Sequence, residues 1–393
     1  MSAVNPAVKS ARESFLVFGS PLIGEEEIAE VVATLRSGWI GTGPRTAQFE
    51  QAMKEYTGAK FAVAVNSCTA ALHISLLALG VGPGDDVITT PMTFVATASA
   101  ILHSGAKPVF VDVDRKTMLL DPERIEAAIT PRTKAILPVH LMGRPCAIDE
   151  MLAVARKHGL FVVEDAAHCI EGKIHGRKVG SIGDSTCFSF YVTKNLTTGE
   201  GGMVTTDNPA WAERLRVLAL HGMDVHAYHR FGGSGYKHYQ VVVPGYKYNM
   251  TDIQAALGIH QLKRIESSWE RRNAIWNRYQ RELAGLPVHL PAEDEPDARH
   301  ARHLYAILVQ EEECGKNRDQ LLEHLTREKI GAGVHYTPVH LHPYYRQTFG
   351  YAEGSFPNAE WIGKGTVSLP LSAKLTDEDV EDVIGAVHQF FSR

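Results

Sequence analysis

The chain has 393 residues and a mass of 43.2 kDa, enough for two or three domains or one large core with an appendage. Apolar residues make up 44% and charged residues 22%, the mix of an ordinary globular protein, which excludes disorder, a collagen-like repeat and a disulfide scaffold. A net charge of −5, from 40 basic and 45 acidic side chains, argues against wrapping nucleic acid or coating an anionic membrane.

In chain order, 24–36 (GEEEIAEVVATLR) reads as a helix with acids at its front and Arg36 at its back, as the helix dipole prefers. Residues 61–65 (FAVAV) read as a buried strand, followed by Asn66-Ser67-Cys68-Thr69 and a helical run to Gly80. Strands are expected at 86–90, 107–113, 134–139 and 160–164, with helices near 94–103 and 147–158 between them. That alternation predicts an α/β fold with a mainly parallel sheet covered by helices on both faces. Residues 185–191 and 202–206 are β-rich and bracket the loop VTKNLTTGEG. A helix near 209–219 and a long irregular stretch, 221–248, follow; so long a loop is usually functional or an arm to a partner.

Residues 251–285 read as one long helix opened by a Thr251/Gln254 capping box. Leu262, Ile265, Trp269, Trp276, Tyr279 and Leu283 form its apolar stripe, with Arg272 the one departure. The remainder carries strands at 304–309 and near 332–337, a helix at 318–329 and a last helix at 377–391, the signals of a smaller α+β unit. The expected division is 1–265 for a large α/β domain and 266–393 for a small C-terminal α+β domain, with the first twenty residues lying against the latter. Five cysteines stand far apart with no CxxC pair, which speaks against structural zinc and for a reducing cytoplasm. No apolar leader and no membrane-spanning run of roughly 18 residues is read.

Three short segments carry chemistry. The turn Asn66-Ser67-Cys68-Thr69-Ala70 opens a helix, and a helix N-terminus offers unpaired N–H groups to an anion, although a plain N-cap is the commoner use of such residues. Glu164-Asp165-Ala166-Ala167-His168 ends a strand, where acids face the crevice that binds ligands in parallel sheets, or merely cap the next segment. Lys194 sits in a small-residue loop with Gly199, Gly201 and Gly202 behind it; a lysine taken alone would be a solvated one. Together, an anion cradle, a strand-end carboxylate and a loop lysine are what pyridoxal phosphate needs. The amine bonds the aldehyde, the carboxylate keeps the pyridine nitrogen protonated, and the helix N-terminus neutralises the phosphate.

SFYVTKNLTTGEGGMVTT, EDAAHCIEG, SGWIGTGPRTAQFE, SCTAALHISLLALGVGPGDDVITTPMTFVATASAI and PGYKYNMTDIQAALG resemble the DegT/DnrJ-type sugar aminotransferases, over about residues 20–390. The resemblance implies a fold-type I pyridoxal phosphate transferase, cycling through pyridoxamine phosphate and moving an amino group from L-glutamate to a nucleotide-linked ketosugar. Lys194 matches the lysine that bonds the cofactor. Asp165 matches the partner of the pyridine nitrogen, and His168 a residue beside the ring that can bond its hydroxyl. Thr69 and Ala70 match the phosphate cradle, helped by Ser189. Phe94 matches a ring stacked on the cofactor, where many relatives have Trp. Asn249 matches an asparagine reaching the phosphate from the neighbouring subunit, which implies a homodimer. His335 is the substrate-side candidate. A subset of the family with His in place of the lysine dehydrates instead; this chain keeps Lys194.

Other readings are weaker. Gly41 and Gly43 precede the first strong strand, so they do not form a dinucleotide fingerprint. His335, His340 and His342 lack metal-ligand spacing, and no metal is expected. Arg230, Lys237 and Lys247 could meet a nucleotide diphosphate or be solvated charges. A different pyridoxal phosphate reaction and a non-catalytic regulator stay open. A desulfurase would need a mobile loop cysteine, and a regulator a basic helix-turn-helix, neither of which is seen. The PGYKYNMTDI stretch leans to UDP-linked, C4-aminating relatives. The pathway is open between lipopolysaccharide, another surface glycan and an antibiotic sugar.

Overall fold

A computed structural model describes residues 12–224 and 238–392. Among the described residues thirteen strands form three sheets. In chain order they are β1 (Phe61–Val65), β2 (Asp86–Thr89), β3 (Lys107–Phe110), β4 (Thr133–Ile136), β5 (Phe161–Asp165), β6 (Lys173–Ile174) and β7 (Arg177–Lys178). Then come β8 (Ser185–Ser189), β9 (Gly202–Thr206), β10 (Val288–His289), β11 (Ala298–Arg299), β12 (Tyr305–Val309) and β13 (Thr366–Leu369). The large sheet has the order β1-β9-β8-β5-β4-β2-β3. Pairing is parallel from β3 through to β8, and β9 alone runs against its neighbours. The α/β architecture with a mainly parallel sheet is therefore as expected from the alternation.

The strands read as apolar runs because helices bury both faces. The helix Ile148–His158 shows how such cover is specified. Asp149 and Glu150 lie in its first turn, Arg156, Lys157 and His158 in its last, and Gly159 stops it at φ 67°. Its Ile148, Met151, Leu152 and Ala155 are buried in the sheet's core beside Ile136 and Val162.

A second core gathers Trp276, Tyr279, Tyr305, Leu321, Val367, Val383 and Val387 around the sheet β10-β12-β13. We propose that residue 265 is where the large unit passes to the small one. The helix expected to run unbroken over 251–285 is two, Asp252–Lys263 and Ile265–Glu282, parted at Arg264. No Gly or Pro causes the break; Arg264 is drawn aside to Leu22 O, 3.1 Å away, and to Glu27. The strand expected near 332–337 is a single bridge, Gly333 to Ser368. Beyond it the chain leaves the sheet edge, and Pro338 has no N–H to continue a ladder. At the other end of the described chain, Arg12 pairs with Asp379 and Asp382 of the last helix, and Leu16 N donates to Lys329 O at 2.8 Å. Of the 221–248 stretch, 225–237 lie outside the described residues, and with them Arg230 and Lys237.

Candidate active site

The carboxyl ends of β1, β5 and β8 open on one cleft of about 540 Å³. After β1 the chain turns into the helix Cys68–Ala78. Ser67 is the N-cap, with Oγ accepting from Ala70 N at 3.1 Å. The plain cap is therefore present, and it leaves other N–H groups of the turn open. Ala70 is buried and its N–H is occupied, while the N–H groups of Cys68 and Thr69 find no protein acceptor among the described residues. Thr69 lines the cleft; Ala70 does not. The turn is backed by Gly202 of β9, where a Cβ would stand 2.5 Å from the carbonyl carbon of Ser67.

On β5 the alternation of side chains separates the two acids. Glu164 is fully buried and accepts from Thr186 Oγ1 at 2.7 Å and Gly183 N at 2.8 Å, with His140 Nε2 2.9 Å away. Those partners hold its carboxyl below the usual range despite burial; Cys146 N donates to His140 Nδ1 at 2.9 Å, so the imidazole carries its proton on Nε2 and donates it to Glu164. Asp165 lines the cleft instead. It accepts from Thr97 Oγ1 at 2.8 Å and Ala167 N at 3.1 Å. Burial nonetheless pushes its carboxyl upward, against the pull of those donors and of Lys194.

Lys194 follows β8 in a turn closed by its own N–H on Tyr191 O at 2.9 Å. The residue keeps some surface open to the cleft while its amine is desolvated. Burial lowers the amine to about 8, with Asp165 among the charges resisting the fall. His168 Nδ1 accepts from Met142 N at 3.2 Å, which puts its proton on Nε2, 3.3 Å from Tyr336 Oη. Burial and the charge of Lys194 hold that imidazole neutral, well below its usual value. His335 also lines the cleft, with Nδ1 2.8 Å from Ser368 Oγ and its ring stacked 5.5 Å from Phe18. Burial takes it down to about 4. Phe94 lines the mouth at 55% exposure, 5.7 Å between ring centroids from Tyr336. Ser189 is in the wall, its Oγ accepting a long bond from Tyr191 N at 3.4 Å.

Asn249 is not part of this cleft. It bridges to Val65, donates through Nδ2 to Thr42 Oγ1 at 2.6 Å, and leaves Oδ1 buried without a partner among the described residues. Lys247 is exposed. Cys68 lines the cleft, and all five cysteines are free. Thr97, Tyr336, His303 and Phe18 were not singled out from sequence. Thr97 lay within the quoted PMTFVATASAI run; the other three had no local signal. His340 turns to Glu360 at 2.9 Å while His335 meets Ser368, so the histidine run diverges. Among the described residues no group of three His, Cys, Asp or Glu side chains gathers to hold a metal, and no helix is long and apolar enough to cross a membrane.

The donor set fits pyridoxal phosphate. Unclaimed N–H groups at a helix N-terminus suit a phosphate, a buried carboxylate suits a protonated pyridine nitrogen, and a partly neutral amine suits an aldehyde.

The model of the DegT/DnrJ/EryC1/StrS aminotransferase family matches residues 21–388. The chain belongs to this family. The spore coat polysaccharide biosynthesis protein SpsC of Bacillus subtilis is 53% identical to this aminotransferase over 377 residues, 96% of this chain and 97% of SpsC. The structure of a putative sugar aminotransferase, Spr1654 from Streptococcus pneumoniae in its PMP form, aligns with a TM-score of 0.89 at 37% identity, covering 96% of this chain and 99% of that one. Helicobacter pylori PseC, an aminotransferase involved in the biosynthesis of pseudoaminic acid, aligns at 0.88 and 29% identity over 96% of this chain and all of PseC. The regulator reading is set aside: the chain is an aminotransferase.

Proposed function

We propose that this aminotransferase uses pyridoxal phosphate to move an amino group from L-glutamate to the keto group of a nucleotide-linked sugar, at C4 in preference to C3, in the making of a surface glycan. The observation that carries the reading is Lys194, an enclosed amine lowered to about 8 in the same cleft as the buried Asp165. SpsC and PseC, named for polysaccharide and pseudoaminic acid biosynthesis, support the glycan setting. Five free cysteines support a reducing, cytoplasmic one.

When bound, the cofactor would supply an electron sink for the carbanion formed at the carbon that carries nitrogen. The protein's part is to hold and to move protons. Thr69 and the Cys68 and Thr69 N–H groups would take the phosphate, Asp165 the ring nitrogen, and His168 Nε2–H the ring hydroxyl. Phe94 would cover the ring's open face. Lys194, neutral in part at working pH, would take the proton from Cα of the amino donor, and return one to the sugar carbon in the second half-reaction. His335, kept neutral by burial, would meet the sugar. The sequence of two half-reactions predicts ping-pong kinetics.

Asn249 would serve the neighbouring subunit's phosphate, which supports a homodimer. Its absence from its own chain's cleft favours this, with Nδ2 the end that would donate to a phosphate.

The test is direct. Purified protein given pyridoxal phosphate should turn yellow, and borohydride should fix the label on Lys194. Lys194→Ala should lose colour, label and glutamate-dependent turnover together. Label at another lysine, or full activity in the variant, would end the proposal.

A further inference from the structure

Arg272 interrupts the apolar stripe of the helix Ile265–Glu282, and nothing in the cofactor cradle uses it. Its guanidinium is 3% exposed and donates through Nη2 to Glu171, which is 0% exposed. The other oxygen of Glu171 accepts from Asn195 Nδ2 at 2.9 Å. That same nitrogen donates to Ala301 O, also at 2.9 Å. Two acceptors on one end of the amide decide which end is nitrogen. Asn195 Oδ1 is therefore the acceptor 3.0 Å from His303 Nδ1. His303 must carry its proton on Nδ1, which leaves Nε2 a bare acceptor. His303 lines the cleft, its ring 4.5 Å from that of His168. Burial, and then the charge of Lys194, keeps it neutral. The amide at the centre of this chain belongs to the residue directly after Lys194.

We propose that the buried Arg272–Glu171 pair is a positioning device for the active site. Through the Asn195 amide it holds the backbone of Lys194 in place and fixes His303 as the Nδ1–H tautomer, with Nε2 left as an acceptor for a substrate hydroxyl or ammonium. A buried ion pair is on average no better for stability than a packed apolar pair. An apolar residue at 272 would simply continue the stripe; it could not orient an amide across the junction of the two units. The inference rests on the reading of Lys194 as the residue that bonds the cofactor.

The experiment compares wild-type protein freed of cofactor with Asn195→Ala and with the double variant Glu171→Gln/Arg272→Met, which leaves no unpaired buried charge. Histidine-labelled NMR reads the tautomer of His303, assigned with His303→Gln. A protected Nδ1–H is expected in wild type and lost in both variants. Pyridoxal phosphate is then added, and the rate of borohydride-fixed labelling at Lys194 is followed. It should fall about tenfold or more in both variants, the scale on which misplaced reacting groups lose rate. Competition by inorganic phosphate should be unchanged, because the cradle at Thr69 is untouched. A folded variant that keeps either the Nδ1–H signal or the wild-type labelling rate overturns the inference while leaving the proposed function standing. Wild-type protein labelled elsewhere overturns the proposed function itself, and this inference with it. Should the double variant not fold, Asn195→Ala, which changes no charge, decides by the same two measurements.

Discussion

Replacing Thr97 by Val removes one hydroxyl from the donors that favour the charged form of Asp165. The two side chains have the same shape, so the change acts mainly through the bond from Thr97 Oγ1 to Asp165 Oδ2, 2.8 Å long and buried. Thr93 Oγ1, 2.7 Å from Thr97 Oγ1, loses its acceptor as well. A hydrogen bond to a charged group is worth about 1.5–3 kcal/mol. Its loss should raise the Asp165 carboxyl further, beyond the rise that burial already causes. The sign follows from linkage. A carboxyl raised in the folded state contributes stability that is full below its unfolded value and is lost as pH climbs through the folded one. Thr97→Val lifts that folded value further, so its cost appears on ionisation. The cofactor-free variant should trail wild type by a constant amount in acid, where Thr93 has lost its acceptor, and by up to about 1.5–3 kcal/mol more once Asp165 is ionised. Urea unfolding at a series of pH values measures this. Titration with pyridoxal phosphate should show the pH midpoint of affinity shifted upward, with Thr97→Ser close to wild type. A deficit equal at every pH, or none, would refute the reasoning and leave Thr97 as packing.

Further expectations concern the other parts of the site. With Lys194 lowered to about 8, roughly a tenth of its amine is free at pH 7, so borohydride-fixed labelling should speed up with pH and level off just above 8. A rate still climbing tenfold per unit at pH 9 would place the amine near the ordinary lysine value. Gly202→Ala puts a Cβ 2.5 Å from the backbone of Ser67, and should cost about 1–3 kcal/mol by urea unfolding together with weaker cofactor affinity. Unchanged affinity would separate the cradle from this strand. Asn249→Ala and Lys194→Ala, each inactive, should recover about a quarter of wild-type activity when unfolded and refolded together, because a mixed dimer holds one intact site. No recovery would place Asn249 within its own subunit's site.

The sheet was legible because its strands are buried on both faces. FAVAV at 61–65 and LFVV at 160–163 have no polar side to hide, and period and length alone assign them. The residues that line the cleft were legible where they lie in a local run: Ser67 to Thr69 at a helix start, Asp165 at a strand end, Lys194 in its glycine-flanked loop. The break at Arg264 was not, because a side chain reaching to Leu22 and Glu27 leaves no mark in a helical pattern. The strand expected near 332–337 failed for a similar reason. Its apolar and β-branched residues suit a ladder, but only Gly333 finds a partner before the chain turns away.

The order of apolar and polar residues by itself determined the α/β class, the direction of most strands and the three segments that carry chemistry, since each depends on neighbours within about a dozen positions. Only the tertiary structure decided what Glu164 is buried against, why Arg272 stands in an apolar stripe, and that Thr97, His303 and Tyr336 gather around Asp165 and His168. Those answers depend on contacts between residues far apart in the chain, where burial makes every polar group find a partner and so selects one arrangement.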